Sequence, residues 1–563
     1  AMEVAATAAA SGLRSFTLMK HVGMNVASDS FMTTAYSGVN GGMVILSADD
    51  PSLFSSQNEQ DTRNYGRLAN VPILEPSNCQ EVKDMVKYAF DLSEQFKLPV
   101  IVRTTTRVSH MRGVVEFGEA ADNSSEGESH WKKGFFKKNP AQFVPVPAFA
   151  KDMHVALVEK MDEINKITNE SDFNVESYFS QNKKYGVIAS SSAYNYAYDV
   201  IRYNDLDIDV LKLGFSYPFP YDKVADFVKD YDEVFIVEEV DPIIEKDTLV
   251  AIGKNNLNTV VHGKLDGTFP VYHEFNSDIV ANGFNKYLNF IEENTDDYSD
   301  NLLNLQEEIP SRAPVLCAGC PHRAMYYGVN KALEELGIPL KDAVFASDIG
   351  CYTLGINPPY NAADYLLSMG SSVGDGCGFS IATNQKVISF IGDSTFFHSG
   401  ISPLINAVHN KNNFILTVLD NRITAMTGGQ PNPGIPVDGM GDDAPEISIR
   451  KLALACGCNY VRVINPLNLD QVVKTYKEAL ERDEVCVIIA KAPCTLIKGK
   501  TRKPPVNYID SNCNGCNKCV SELACPAISK DGGKIAIDPS MCDGCGVCIQ
   551  VCKYGALEAG RGE

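Results

Sequence analysis

Eight of the chain's seventeen cysteines crowd into residues 513–552. Cys513, Cys516, Cys519 and Cys525 form one run, and Cys542, Cys545, Cys548 and Cys552 a second. CxxCxxC with a fourth Cys shortly after is a [4Fe-4S] pattern, because two-residue steps let three thiolates meet one face of a cubane. Where two such runs stand together, the fourth Cys of each ligates the other cluster. Cys513, Cys516, Cys519 and Cys552 are therefore assigned to one cluster, and Cys542, Cys545, Cys548 and Cys525 to the second. Structural zinc is the competing use, but two duplicated four-Cys runs exceed what zinc requires. The first run departs from the pattern: residues 520–524 (VSELA) put five positions before Cys525, and Lys553 stands where a second Pro is usual. A bulged Cys525 loop is expected. Thiolate ligands in this number indicate a reducing, cytoplasmic compartment and not a disulfide framework.

A second group lies in KVISFIGDSTFFHSGISPLINAVHNKNNFILTVLDN, residues 386–421. One apolar run ends in Gly392-Asp393-Ser394 and the next in Asp420-Asn421. Between them a helix is expected to start with Ser402 as N-cap and Pro403 in its first turn. Adjacent parallel strands would deliver Asp393 and Asn421 to one carboxyl edge, where ligands bind in open α/β sheets. Their oxygens are hard ligands suited to Mg²⁺, which completes its octahedron with phosphate and water, so a diphosphate is the natural guest. Gly392 would allow close backbone approach, and the carbonyl of Ile423 is a third candidate ligand. Gly-containing loops nearby add cofactor-facing candidates: Cys320 in LCAGCPHR, Asp348, Gly350 and Cys351 in ASDIGCYTLG, and Gly370 and Ser371 in SMGSSVGDGCG. Each could equally be a structural turn. Cys317 and Cys320 form a CxxC with no matching second pair evident, and are read as loop residues facing the cofactor.

The elements that must position these groups alternate apolar strands with amphipathic helices, the mark of parallel α/β sheets. The expected fold is α/β, with several doubly wound parallel-sheet domains followed by a small α+β two-cluster domain. Boundaries are placed at 1–150, a helical linker at 151–184, a second unit at 185–291, an acidic linker at 292–313, a third unit at 314–504 and the Cys-rich tail at 508–563. Residues 122–138 read as an exposed excursion. Lys+Arg 50 against Asp+Glu 71 gives a net charge of −21, which disfavours nucleic acid and anionic membranes, and no apolar run is long enough to span a bilayer. Ala1–Ser11 reads as helix interior with no cap before it, so the first unit is expected to lack its beginning.

The GDS…DN arrangement, with 25 residues between Ser394 and Asp420, resembles the thiamine diphosphate motif. With LCAGCPHR, DIGCYTLG, TAMTGGQ, the two-cluster tail, and MKHVGMNVASD and ADDPSLFSSQNEQDTRNYGR near the start, the whole chain resembles the large subunits of indolepyruvate ferredoxin oxidoreductases. The resemblance implies a pyrimidine-binding domain, a transketolase C-terminal-like domain, a diphosphate-binding domain and a ferredoxin-like tail. It also implies thiamine diphosphate, Mg²⁺ and two [4Fe-4S] clusters as cofactors, and a smaller beta subunit and ferredoxin as partners. The implied reaction converts arylpyruvate and CoA to arylacetyl-CoA and CO₂. A cofactor-activating Glu belongs by pattern before Ala1. Lys20 and His21 are candidates for binding the substrate carboxylate or relaying protons, and His322 is a third catalytic candidate; a structural His is the alternative. Other 2-oxoacids as substrates, or a non-enzymatic electron carrier, are the competing functions.

Overall fold

The computed structural model describes residues 1–118, 133–291, 314–497, 499, 501–531 and 534–560. It contains two compact units, Ala1–Tyr298 and Ser299–Glu563. The acidic linker at 292–313 and most of the excursion at 122–138 lie outside the described residues.

The first unit holds two five-stranded sheets. In chain order its strands are β1 (Ser15–Lys20), β2 (Met43–Ala48), β3 (Ile73–Leu74), β4 (Val100–Thr104), β5 (Asn174–Ser177), β6 (Tyr185–Ala189), β7 (Ile208–Leu213), β8 (Phe215–Tyr217), β9 (Glu233–Val237) and β10 (Val260–His262). One sheet has the order β1-β2-β4-β3-β8 and the other β10-β9-β6-β7-β5. All neighbours are parallel except the edge strands β8 and β5, which run antiparallel. Strands buried on both faces must be apolar throughout, as MVI of β2 and VIV of β4 are. Helix Cys79–Phe96 covers the first sheet: Asn78 caps it by accepting from the Glu81 N–H, Lys97 ends it at φ 57°, and Met85, Ala89, Leu92 and Phe96 form its buried stripe.

Residues 151–184 differ from a helical linker. Helix Pro147–Asn169 buries Leu157, Met161 and Ile164 in the core of the first sheet, and β5 then joins the second. The helix carries its apolar residues at i, i+4 and i+7, so its burial is a packing stripe and not a solvated connector.

The second unit contains a third sheet, entirely parallel, of β11 (Ala343–Ala346), β12 (Lys386–Gly392), β13 (Ile415–Asp420), β14 (Tyr460–Ile464) and β15 (Cys486–Lys491) in the order β11-β12-β13-β15-β14. The Cys-rich tail adds two short antiparallel ladders, Asn507–Tyr508 with Leu557–Glu558 and Ile528–Asp531 with Lys534–Ile537. Its core, including Val506, Leu523 and Val547, closes on Ala324 and Leu469 of the sheet domain.

Candidate functional site

β12 and β13 pair with Gly392 opposite Leu419, so Asp393 and Asp420 leave the carboxyl edge side by side. Asp393 is 3% exposed. Its Oδ1 accepts the Ser394 N–H at 2.8 Å and its Oδ2 the Arg422 N–H at 2.9 Å. The helix starts at Asp393 itself, not at Ser402, and runs through a wide turn at Phe396–Gly400 into Ile401–His409. That widened turn precedes Pro403, whose ring would clash with a regular turn behind it.

Asn421 lies one residue beyond, where the chain bends through Arg422 at φ 65° and the Ile423 N–H donates to Asn421 Oδ1 at 3.3 Å. Asn421 Nδ2 donates to Nε2 of His322 at 3.5 Å. Burial pushes His322 down to about 4, which keeps its ring neutral and able to accept. Burial, with the neighbouring Asp420 carboxylate, pushes Asp393 up to about 7, and burial raises Asp420 as well. Arg422 stands 3.9 Å from Asp420 Oδ2. Two desolvated acids beside an amide oxygen are a donor set that a hard dication would satisfy.

The surrounding loops are held by their own residues. Asp348 is fully buried and accepts from Ile349 N–H at 2.8 Å, Gly370 N–H at 2.8 Å and Ser372 N–H at 3.2 Å, so it fixes the 370–372 turn. Gly370 sits at φ 94°, and a Cβ there would meet Ser399 Cβ at 2.3 Å. Ser371 Oγ donates to Asp375 at 2.9 Å. At Gly350 and Gly392 an added Cβ would meet the Tyr352 ring at 2.4 and 2.7 Å, so it is this ring that these two glycines admit.

Sequence reasoning missed a grouping of thiols. The Cys494 N–H donates to Asn421 O at 2.9 Å, which brings the loop after β15 to the same edge. Burial raises Cys317, Cys320 and Cys351, and the neighbouring thiols add to it: Cys494 and Cys317 act on Cys351, Cys494 on Cys317, and Cys317 on Cys320. The CxxC thus has the thiols of two other loops in its electrostatic neighbourhood. The available signal was position, since Cys351 and Cys494 each follow a strand of the sheet by only a few residues.

In the tail, one hollow is lined by Cys525, Cys542, Cys545 and Cys548 together with Gly319, Cys320 and Arg323. Another is lined by Cys513, Cys516, Cys519 and Cys552 with Tyr508 and Leu557. These are the two sets that cross-pairing of the runs produces. Among the described residues no three His, Cys, Asp or Glu side chains converge as a single-ion site; the thiols ring spaces suited to a larger group.

Three family models match the chain: pyruvate flavodoxin/ferredoxin oxidoreductase, thiamine diphosphate-binding, over residues 1–180; the C-terminal TPP-binding domain of thiamine pyrophosphate enzymes over 348–490; and a 4Fe-4S dicluster domain over 505–553. The chain is 54% identical to indolepyruvate oxidoreductase subunit IorA of Methanothermobacter marburgensis, covering 99% of this chain and 88% of that one. It is 41% identical to the same subunit of Pyrococcus horikoshii, over 100% and 88%, and 40% identical to that of Archaeoglobus fulgidus, over 100% and 88%. The chain belongs to the indolepyruvate oxidoreductase subunit IorA family. It is an α/β oxidoreductase subunit with thiamine diphosphate-binding domains and a 4Fe-4S dicluster domain, and the subunit designation implies at least one other subunit. Among its described residues, no helix is long and apolar enough to cross a membrane.

In the oxidoreductase-type domain of this IorA-family chain, Lys20 and His21 are engaged. Lys20 Nζ donates to Asp50 Oδ2 at 3.0 Å and Ser55 Oγ at 2.9 Å, and the buried His21 presents Nε2 to Asn58 O at 3.0 Å. Both therefore brace the 55–58 turn. Behind it lies a buried ion network that no residue spacing marks. Arg63 pairs with Asp61 and Glu238, both at 2.6 Å, while Arg103 pairs with Asp49 at 2.6 Å and Glu75 at 2.7 Å. These side chains are at most 2% exposed, so each guanidinium is needed to offset its acids. Lys264, lowered to about 8 chiefly by burial, lies near the same acids.

Proposed function

We propose that the chain is the cofactor-bearing subunit of an enzyme that oxidatively decarboxylates indolepyruvate and related arylpyruvates. With CoA it would give arylacetyl-CoA, CO₂, one proton and two electrons, the electrons passing through [4Fe-4S] clusters to ferredoxin. A smaller beta subunit completes the enzyme. Residues 314–504 hold the diphosphate end of thiamine diphosphate, and residues 508–563 hold the clusters.

Side-chain oxygens of Asp393 and Asn421, with the Ile423 carbonyl, would hold Mg²⁺ and through it the diphosphate. Bound there, thiamine diphosphate supplies the electron sink for decarboxylation. The chain's own residues orient and insulate it. Neutral His322 holds the Asn421 amide, so that its oxygen is the atom left for the metal. Asp348 keeps the 370–372 loop closed, and Tyr352 packs between the 350 and 392 backbones. A cluster held by the Cys525 set would lie against the LCAGCPHR segment that also carries His322 and so be placed to take electrons from the cofactor domain, whereas one held by the Cys513 set would lie among tail residues alone and be placed to pass them outward. The observation that carries this reading is the juxtaposition at one sheet edge of Asp393, Asn421 and the CPHR segment, which in turn lines a four-Cys hollow.

The test is anaerobic reduction of ferredoxin or a viologen dye by the chain with its partner subunit, using a panel of 2-oxoacids and CoA. Indolepyruvate and phenylpyruvate should turn over fastest. A preference for pyruvate, 2-oxoglutarate or branched-chain acids would replace the substrate assignment, and no 2-oxoacid-dependent reduction would overturn the reading.

A further inference from the structure

Arg323 lies between the LCAGCPHR loop and the segment leading to Cys525, and is 4% exposed. On one side its guanidinium donates to the carbonyls of Leu316 and of Cys317, the latter at 3.4 Å from Nε. On the other, Nη1 donates to the carbonyls of Leu523, at 3.1 Å, and Ala524, and to the Tyr360 hydroxyl at 2.7 Å. Tyr360 in turn donates to the Leu523 carbonyl. These acceptors are carbonyls and a phenol, none of them anionic, and the one carboxylate among the described residues that line the same hollow is that of Asp543. Leu523 and Ala524 belong to the lengthened 520–524 segment before Cys525, and Ala524 is held at φ 47°, in the left-handed region that a non-glycine residue rarely adopts. The longer loop turns its carbonyls toward the guanidinium, which also lines the Cys525 hollow.

We propose that Arg323 is a positioning residue for electron transfer: it clamps the Cys525 loop to the LCAGCPHR segment and keeps a buried positive charge beside the Cys525/Cys542/Cys545/Cys548 cluster, raising that cluster's potential. One-electron reduction makes a cluster one unit more negative, and a fixed cation in a low-dielectric setting favours that reduced form. The inference rests on the cluster assignment above and adds to it a residue that ligates nothing.

The test is an EPR-monitored redox titration, with dithionite as reductant, of the full chain reconstituted anaerobically with iron and sulfide. Wild type, Arg323→Gln and Arg323→Lys are compared, with iron and sulfide counted on each. Arg323→Gln should move one cluster's midpoint to a more negative potential and leave the signals of the Cys513 set in place. Arg323→Lys, which keeps the charge, should restore most of the shift. Loss of one cluster's iron in Arg323→Gln with retention in Arg323→Lys would support the clamp equally. Unchanged midpoints in Arg323→Gln, or Arg323→Lys displaced or depleted as far as Arg323→Gln, would overturn the proposal. A wild-type chain that takes up no cluster would instead refute the cluster assignment.

Discussion

Asp393 and Asp420 are adjacent acids in a site that strips them of water, and both are held above the usual carboxylate range as a result. A dication reverses that penalty, so removing one ligand should cost more than its own contact. Asp393→Ala is expected to weaken Mg²⁺-dependent binding of thiamine diphosphate by at least about 100-fold in calorimetric titration, while the iron–sulfur absorbance stays at wild type. Equal affinity in the two proteins would remove the metal assignment. The Asp393/Asn421 pair was legible because each acid or amide ends its own apolar run, and a strand end is a local signal. Cys494 was not, since the Asn421 carbonyl that its N–H meets lies at the end of a different strand, β13. Buried thiols outside the clusters give a separate readout. Cys486, in β15, is pushed up to about 12 by burial, so the folded chain keeps a proton that the unfolded chain sheds above the ordinary thiol value of about 9. Stability contributed by that proton is present below pH 9 and declines as pH rises toward 12. Urea denaturation from pH 8 to 11 should show Cys486→Ala with a shallower alkaline decline than wild type, by about 1.4 kcal/mol per pH unit above 9. Parallel declines would show that the thiol is already ionised in the fold.

Elements form most plainly where a period and a cap agree. Helix Cys79–Phe96 has both, in its apolar stripe and in the Asn78 cap. The region after β12 shows the opposite case. Ser402-Pro403 carries a helix-start signature, yet the helix already begins at Asp393 and the wide turn at Phe396–Gly400 lets the proline sit inside a continuing helix. No single-residue preference encodes that turn. The contrast is measurable: Asn78→Ala should destabilise by about 1 kcal/mol, whereas Ser402→Ala, at an exposed mid-helix position, should change stability by less than about 0.5 kcal/mol. A Ser402→Ala loss as large as that of Asn78→Ala would restore Ser402 as a cap. Strand β5 was hidden for another reason. It is four residues long, antiparallel at an edge, and buried only at Asn174, so it lacks the continuous apolar run by which the buried strands were found.

For the molecule as an electron conductor, what matters is the order of its cysteine sets. The Cys525 set shares its hollow with Gly319, Cys320 and Arg323, while the set with Cys513 meets tail residues alone and includes the exposed Cys516. Sequence spacing could pair the eight ligands but not say which set faces the cofactor domain, because that depends on docking through Ala324, Leu469 and the Arg323 hydrogen bonds. The order makes the two sets unequal under mutation. Cys513→Ala should leave one cluster that still becomes reduced when 2-oxoacid and CoA are added, as seen by EPR after rapid freezing, while steady-state reduction of ferredoxin falls by at least about tenfold. Cys545→Ala should abolish substrate-dependent reduction of the remaining cluster, since the first acceptor is gone and electron transfer across the added distance is slow. If Cys545→Ala still reduces ferredoxin at the wild-type rate while Cys513→Ala loses internal reduction, the sequence of carriers runs the other way, and the hollow beside Arg323 is not the first stop.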